Sequence, residues 1–272
     1  MKIPDNLKKI WRSVLTKGLK DAIAEQNLKE IYEKLEKIIP NIDEQYTENI
    51  LENEYYRTKV RGQHAFQISL VEKALKILED DEKEKIMIVD IGDSSGNHIL
   101  YLKNMFKNVE SLSVNLDKIA VEKIKNKGLQ AVHARAEELY KYSIKTDIFL
   151  SFEMLEHLHD PSNFLRSISE TNCKLFVITV PYIKQSRVGL YHIRNNLDRE
   201  QSGESTHIFE LSPKDWKLIF KHSGWEVMYE QIYLQYPKFS VLKKYYKDRD
   251  FEGFYGVILK PNPIWKNKYN DW

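Results

Sequence analysis

Two short runs of polar residues combine residue types and spacings that could do chemistry. Residues 90–96 read DIGDSSG, with two carboxylates and two glycines, and residues 153–157 read EMLEH, with two carboxylates and an imidazole. A further imidazole, His207, lies in the run STHIFELSPKDW. Glycines let a backbone approach a ligand closely, while carboxylates and imidazoles can hold a divalent cation or move a proton. The sequence therefore contains a candidate ligand-binding turn and a candidate catalytic cluster.

Predicted strands place both runs at one edge of a sheet. The apolar run 86–91 predicts a buried strand, and further strands are predicted at 111–116, 131–133, 147–151, 174–180, 225–234 and 254–260. Helical patterns at 119–127 and 161–170 separate some of them, and this alternation predicts an α/β fold with a doubly wound, mostly parallel, seven-stranded sheet. The last two strands lack a full helix between them, so we expect the last strand to be antiparallel. Ligands bind outside the carboxyl ends of parallel strands, where both runs fall.

The first eighty residues differ from the rest because they show amphipathic helical patterns and no strand candidate. We expect an N-terminal helical extension over 1–80, a ligand-binding domain over 81–262 and a C-terminal tail over 263–272. The extension has two interpretations, a packing layer that could form a homodimer or a lid over the site. The mixture of aromatic and polar residues at 55–67 favours the lid.

Composition excludes several classes of protein. The 42 Lys+Arg residues nearly balance the 40 Asp+Glu residues, so no strong overall field attracts a polyanion and nucleic-acid binding is not indicated. The single Cys173 excludes an intramolecular disulfide. The chain has no signal-peptide pattern and no run of roughly 18 apolar residues, so we expect a cytoplasmic protein without a membrane partner.

Two segments resemble a known family. The run VDIGDSSGNHILYL from Val89 resembles the first motif of class I S-adenosylmethionine (SAM) methyltransferases, an acidic residue followed by G-x-G-x-G, with Ser94 in place of the middle glycine. The run DIFLSFEMLEHLHDP from Asp147 resembles the D-x-x-x-x-x-E-V-L-E-H-L motif of a large methyltransferase subgroup. The resemblance covers most of residues 80–260 and implies a Rossmann-like methyltransferase that binds SAM.

The resemblance also implies where SAM would be held. Asn115 stands where the family carries the acid that binds the ribose, and Asp117 is an alternative that could instead cap the helix beginning at Ile119. Arg135 stands where the family often has Asp, so the adenine edge would be read by the residues that follow. The implied cofactor-binding residues are Asp90, Gly92, Asp93, Ser94, Gly96, Asn115, Leu116, Asp117, Ala136, Glu137 and Phe152.

The predicted catalytic residues are Glu153, Glu156, His157 and His207, and two roles stay open for them. E-x-x-E-H followed by a later His resembles the divalent-metal site of small-RNA 2′-O-methyltransferases, although the same run occurs in metal-free relatives. Methyl transfer is an in-line displacement that needs alignment and, for a hydroxyl acceptor, a base, for which His207 is a candidate.

Three functions remain open after this reading of the residues. They are methyl transfer to a hydroxyl or amine of a small molecule or glycan, metal-dependent RNA 2′-O-methylation, and a catalytically silent SAM-binding scaffold. The even charge balance counts against RNA, and the retained Asp90, glycines and E-x-L-E-H run count against a scaffold. We therefore expect a small-molecule or glycan acceptor. The loop 183–206, with Arg187, Arg194 and Arg199, is either a cover over the substrate or a solvated basic loop.

Overall fold

The apolar run at 86–91 forms the first strand of a sheet in the computed structural model, which describes residues 5–43, 45, 51–79, 85–142, 144–196, 206–247 and 251–268. The strands are β1 (Ile86–Ile91), β2 (Val109–Asn115), β3 (Ala131–His133), β4 (Ile148–Phe152), β5 (Leu175–Tyr182), β6 (Arg187–Val188), β7 (Phe209–Glu210), β8 (Trp225–Leu234) and β9 (Gly253–Pro261). The α-helices are α1 (Asp5–Glu25), α2 (Lys29–Ile38), α3 (Glu54–Ile77), α4 (Asn97–Met105), α5 (Lys118–Asn126), α6 (Pro161–Ser169), α7 (Tyr191–Arg194), α8 (Pro213–His222) and α9 (Pro263–Asn267). Short 3₁₀ helices span Ala136–Tyr142, Leu155–His157 and Lys243–Tyr245.

The main sheet has seven strands in the order β3-β2-β1-β4-β5-β9-β8. Strands β1 to β5 pair in parallel, while β9 is antiparallel to both of its neighbours, β5 and β8. The predicted α/β fold, with a mostly parallel seven-stranded sheet and an antiparallel last strand, is therefore confirmed. Two further short strands, β6 and β7, form a separate antiparallel pair near the carboxyl ends of the parallel strands.

The central strands are buried on both faces, which explains their continuous apolar sequences. Along β1, Ile88 packs into the core on one face and Val89 into the core on the other. The same alternation divides the residues of β4 and β5 between the two cores, because successive side chains of a strand point to opposite faces. One core lies under α3, and the other contains apolar residues of α6 and α8.

Helix α3 belongs to the N-terminal extension but packs directly on the sheet. Phe66 and Leu70 of this helix share a hydrophobic core with β1, β4 and β5. A Cβ at Gly256 of β9 would lie 2.4 Å from Leu70 Cδ1 and 2.7 Å from Phe66 Cζ, so the absence of a side chain there permits this close approach. Helices α1 and α2 pack on α3 in turn. The division of the chain near residue 80 stays a prediction.

Among the described residues, no helix has both the length and the apolar character that crossing a bilayer would require.

Candidate active site

The glycines of the turn after β1 hold backbone conformations that other residues avoid. Gly92 has φ +94°, and Gly96, which precedes the first residue of α4, has φ +77°. A Cβ at Gly92 would lie 3.2 Å from Met154 Cγ, and one at Gly96 would lie 3.0 Å from Ile124 Cγ1. The turn therefore packs against the segment that follows β4, which brings the two polar runs together.

Two buried carboxylates of this turn surround a histidine. His98 Nδ1 lies 3.0 Å from Asp90 Oδ2 and 3.6 Å from Asp93 Oδ1. Burial acts to lower the pKa of His98, but Asp93 and Asp90 outweigh it and raise that pKa. Burial raises the pKa of Asp93 to about 6. Within the described part of the chain, Asp90 Oδ1 and Asp93 Oδ1 have no hydrogen-bond partner, so they could accept from a cationic amine.

A buried chain of hydrogen bonds connects this turn to the EMLEH run. His98 Nε2 lies 3.0 Å from Gln67 Oε1, and Gln67 Nε2 donates to Thr179 Oγ1 at 3.1 Å. The Thr179 hydroxyl in turn bonds the Glu153 carboxylate. The Gln67 side-chain amide thus links α4 to β5, because both of its polar atoms are engaged there.

We expect Gln67→Leu to lower the free energy of unfolding by about 1–3 kcal/mol, since it leaves buried polar atoms of His98 and Thr179 without their partner. Urea titration measures this change. Gln63→Leu, one turn earlier on α3 at a half-buried position, is the control and should change stability less. Equal losses in the two variants would show that the buried chain contributes nothing specific.

The turn is also braced by residues distant in sequence. Gln45 Oε1 accepts hydrogen bonds from Asn97 Nδ2 at 2.5 Å and Ser95 Oγ at 3.3 Å. Lys127 Nζ donates to the Ser95 carbonyl at 2.6 Å and to Asn97 Oδ1 at 3.1 Å. Gln45 lies between α2 and α3, so the N-terminal extension touches the candidate cofactor turn. Arg61 of α3 donates to Glu36 and to the carbonyls of residues 39 and 40.

The predicted ribose-binding residues hold the backbone at the end of β2. Asn115 Nδ2 donates to the Asp93 carbonyl at 3.0 Å, and Asn115 Oδ1 accepts from the Asp117 amide at 2.8 Å. Asp117 Oδ1 accepts from the Ile119 amide at 2.8 Å and so caps α5, as one of its two predicted roles requires. A ribose contact of either residue stays a prediction.

The other predicted cofactor residues lie near this edge in varied surroundings. Leu116 is exposed beside Asn115, and the Phe152 ring is buried with its centre 5.0 Å from that of His98. Ser94 is half-buried in the turn, and Ala136 begins a 3₁₀ helix. The side chain of Glu137 is outside the described part of the structure.

We expect the double variant Asn115→Ala/Asp117→Ala to weaken binding of S-adenosylhomocysteine (SAH) by at least about 1 kcal/mol, through lost hydrogen bonds. Calorimetry measures the affinity. The variant Asp117→Asn retains a good helix cap and separates the two roles of that residue. If the Asp117 carboxylate holds the ribose, Asp117→Asn should weaken SAH binding without lowering the free energy of unfolding. A double variant that binds SAH as tightly as the parent would place the ribose elsewhere.

The EMLEH run and His207 form the second cluster. Glu153 directly follows β4 and has a left-handed backbone conformation, with φ +54°. Residues 155–157 form a 3₁₀ turn. One carboxylate oxygen of Glu156 and one ring nitrogen each of His157 and His207 lie within 4.8 Å of one another. The structure thus unites three of the four predicted catalytic residues. The Glu153 carboxylate is outside this trio but is close enough for repulsion from Glu156 to affect it.

Both imidazoles of the cluster are oriented by a second hydrogen bond. His157 Nδ1 lies 2.6 Å from the Thr206 carbonyl, and His207 Nδ1 lies 3.3 Å from Glu210 Oε1. A carbonyl or carboxylate at Nδ1 favours the tautomer that leaves a lone pair on Nε2. The His157 Nε2 atom is 3.8 Å from Glu156 Oε1. The His157 Nε2 atom therefore lies on the side of the Glu156 carboxylate.

The buried carboxylates of this cluster have few hydrogen-bond partners. Both oxygens of Glu156 and Oε1 of Glu153 lack hydrogen-bond partners among the described residues. Burial raises the pKa of Glu156 to about 7, against the lowering effect of His207. Burial, together with repulsion from Glu156, raises the pKa of Glu153 well above its usual range. Such uncompensated carboxylates are typical of sites that receive a cation or a proton.

The segment 183–196 helps to fix His207. Arg187 Nε and Arg194 Nη2 lie 2.6 Å and 3.0 Å from Glu210 Oε2, the carboxylate whose other oxygen bonds His207. Burial acts to raise the pKa of Glu210, but His207 and Arg187 outweigh it and lower that pKa. Arg187 and Arg194, which were predicted to lie either in a cover over the substrate or in a solvated loop, therefore hold the carboxylate that orients His207. The third arginine, Arg199, is outside the described residues. The Ile208 amide also donates to the Glu156 carbonyl at 2.8 Å.

The described residues contain a second grouping of possible metal ligands, Asp90, Asp93 and His98. Both ring nitrogens of His98 are already used, by Asp90 and by Gln67. This group is therefore a buried ion pair, whereas in the trio of Glu156, His157 and His207 both Glu156 oxygens lack hydrogen-bond partners among the described residues. Sequence reasoning missed His98 and Glu210. The spacing H-x-x-E at 207–210 was the available signal for Glu210, and the position of His98 in the first turn after Gly96 was the signal for His98.

Comparison with known proteins identifies the family of the chain. A family model described as a methyltransferase domain matches residues 60–230, more than half of the chain. The comparison with curated protein sequences gives no match. One solved structure with this fold is a candidate sarcosine dimethylglycine methyltransferase from Galdieria sulphuraria, at 13% identity and TM-score 0.55, covering 76% of this chain and 87% of that one.

Two further solved structures share the fold. The magnesium protoporphyrin IX methyltransferase from Synechocystis PCC 6803, with bound SAH, has 10% identity and TM-score 0.53 and covers 89% of this chain and 98% of that one. The 1,6-didemethyltoxoflavin-N1-methyltransferase from Burkholderia thailandensis has 9% identity and TM-score 0.50 and covers 96% of this chain and 92% of that one. Likeness at these identities shows the fold, whereas the family-model match shows the family. The chain therefore belongs to the methyltransferase-domain family, and it is a SAM-dependent methyltransferase.

Proposed function

We propose that the protein transfers the methyl group of SAM to a hydroxyl of a small molecule or glycan, with a divalent cation held by Glu156, His157 and His207. The observation that carries the proposal is the convergence of these three ligand atoms within 4.8 Å of one another. One carboxylate and two imidazoles form a donor set that binds divalent transition metals. The proposal includes membership of the subgroup with the E-x-L-E-H motif, which Glu156 and His157 support.

The chemistry of the donor set fits a cation. The Glu156 oxygens, which lack partners among the described residues, would gain a positive charge that offsets their burial. Metal-binding histidines usually donate their other ring N–H to a carbonyl or carboxylate, as His157 does to Thr206 and His207 does to Glu210. The remaining coordination positions would be available to the acceptor and to water.

The residues of the chain would then divide the work between two sites. Asp90 and Asp93 would bind the amino group of the cofactor, and the glycine turn would let the backbone approach it. SAM supplies the methyl group from its sulfonium. A divalent cation supplies charge that lowers the pKa of an acceptor hydroxyl. Glu156 and the two histidines would hold the acceptor oxygen close to that methyl group, because the Gly92 turn packs on Met154 of the EMLEH run.

A hydroxyl acceptor is favoured because this cluster is suited to removing or redistributing a proton. A neutral amine needs no such group before it attacks a sulfonium. The alternative role of His207, general base without a metal, uses the same geometry, since its Nδ1 is held by Glu210 and Nε2 carries the lone pair. The alternative acceptor, RNA, would use the same cation but is disfavoured by the formal net charge of +2.

Metal removal tests the proposal. The purified protein is treated with a chelator, desalted and assayed with radiolabelled SAM against a small-molecule extract, a glycan fraction and RNA, and the methylated product is identified by mass spectrometry. We expect activity on the small-molecule or glycan fraction that is lost on chelation and restored by Mn²⁺ or Mg²⁺. Chelator-insensitive activity would assign His207 as a general base. Methylation of RNA alone would select the alternative acceptor.

A further inference from the structure

The first half of α1 extends an apolar stripe into solvent. Leu7, Ile10, Trp11 and Val14 are all exposed, and their spacing of three, four and seven residues places them on one side of the helix. The second half of α1 is different, because Leu15 and Leu19 are buried against the rest of the protein. An exposed stripe of this kind marks an interaction surface more often than an ordinary solvated face.

A second apolar element lies beside this helix. Phe239 and Val241 are 87% and 93% exposed in the segment that follows β8. The segment runs along α1, because the Tyr245 ring contacts the Trp11 ring at 4.9 Å and the Lys238 amide donates to Glu25 Oε2 at 2.9 Å. The segment 238–245 therefore lies alongside the helix that carries the apolar stripe, and we name α1 together with this segment the α1 surface.

The α1 surface is strongly basic. Residues 7–20 contain five Lys or Arg and no acidic residue, and residues 236–247 contain four Lys and no acidic residue. Within this region Lys20 forms an ion pair with Glu54, and Lys247 forms one with Glu252. The whole chain has a formal net charge of only +2, so positive charge is concentrated in this one region.

Apolar and basic side chains together specify the kind of partner. A helix with Leu, Ile and Trp on one side and Lys or Arg around it is typical of segments that lie in the interface of an anionic bilayer. Basic residues near such a surface are attracted by its negative potential, and exposed Phe and Val enter the boundary of the acyl chains. Nucleic acid would use the cations but offers no favourable environment for the aliphatic side chains of Leu7, Ile10 and Val241.

We propose that the α1 surface binds the surface of membranes containing anionic lipids, without spanning them. Binding of this kind places the methyltransferase at the membrane, with α1 in the plane of the interface. Phe251 lies ten residues after Val241 in the chain, and its ring centre is 6.0 Å from that of His207. The docked face of the protein is therefore close in sequence to the candidate acceptor site.

Vesicle sedimentation tests the proposal with the full chain. We expect binding to vesicles of phosphatidylcholine with phosphatidylglycerol, little binding to phosphatidylcholine alone, and release at high salt. Phe239→Ser/Val241→Ser and Lys9→Glu/Lys17→Glu should each lower the partition coefficient by at least about fivefold. Affinity for SAH, measured by calorimetry, should be unchanged and reports that each variant is folded.

The matched apolar control lies at the other end of β8, and the matched lysine control lies at the end of α4. Ile264 is 78% exposed on α9, which packs at Gly224 before the start of β8, whereas Gln26 after α1 bonds the end of β8 at Leu234. Ile264→Ser and Lys103→Glu/Lys107→Glu should leave vesicle binding intact. The proposal is wrong if the parent protein does not bind anionic vesicles, or if the variants and the controls bind these vesicles equally well. It is also wrong if the α1 surface binds an RNA oligonucleotide, or joins two copies of the chain in sedimentation velocity, while vesicles are not bound.

Discussion

Glu156→Gln should lower methyl transfer by at least about 100-fold while leaving SAH affinity unchanged. The substitution keeps the size of the side chain but removes the charge that would hold a cation between His157 and His207. It should not lower the free energy of unfolding, since it also removes a buried carboxylate whose oxygens lack partners among the described residues. Loss of activity without loss of stability is the signature of a group retained for function.

His207→Ala should show the same loss of activity, and the two variants should not be additive if both hold one ion. Calorimetric titration with Mn²⁺ in the presence of SAH measures the ion directly and needs no acceptor. The controls are Glu226→Gln on β8 and His222→Ala at the end of α8, both distant from the cluster. Undiminished Mn²⁺ binding in Glu156→Gln would remove this residue from the site.

Gly92→Val should abolish binding of SAM and SAH. Valine is β-branched and strongly disfavours the φ of +94° that Gly92 holds, and its Cβ would lie 3.2 Å from Met154 Cγ. The turn would have to move away from the segment after β4, and its backbone would no longer present the arrangement that the cofactor needs. Calorimetry with SAH measures the loss.

The variant Gly128→Val is the control for the effect of backbone strain alone. Gly128 also has a positive φ, +70°, but a Cβ there would meet no atom within 4 Å among those described. The control should therefore lose stability without losing SAH affinity, and circular dichroism should show that both variants are folded. If folded Gly92→Val binds SAH like the parent, the cofactor is not held by this turn.

The sheet could be predicted from sequence because each strand carries its own signal. The apolar run 86–91 and the alternation that follows are local properties, and the predicted and observed strand ends agree within two residues. The doubly wound, mostly parallel character of the sheet followed from the alternation of strands and helices, whereas the order of the strands comes from the structure. The proximity of the two polar runs also followed, because both come at carboxyl ends of strands.

The partners of individual side chains could not be predicted in the same way. Gln67 and Thr179 are 112 positions apart, and no local pattern announces the bond between them. Asn115 was assigned from the family pattern to the ribose, yet in the structure both ends of its amide hold backbone at the turn and the β2 end. The arginines of the 183–206 loop suggested substrate contact, and only the fold brings Arg187 and Arg194 to Glu210.

The position of β9 between β5 and β8 has a consequence for how the chain is made. During synthesis on the ribosome, β8 emerges before β9, but its main-sheet partner is β9 and not β5. Strand β8 and the edge of β5 must therefore wait, with unpaired backbone groups, until the later strand inserts between them. A nascent chain that stalls before residue 253 would present two open sheet edges, so chaperones should be needed most at that moment of translation.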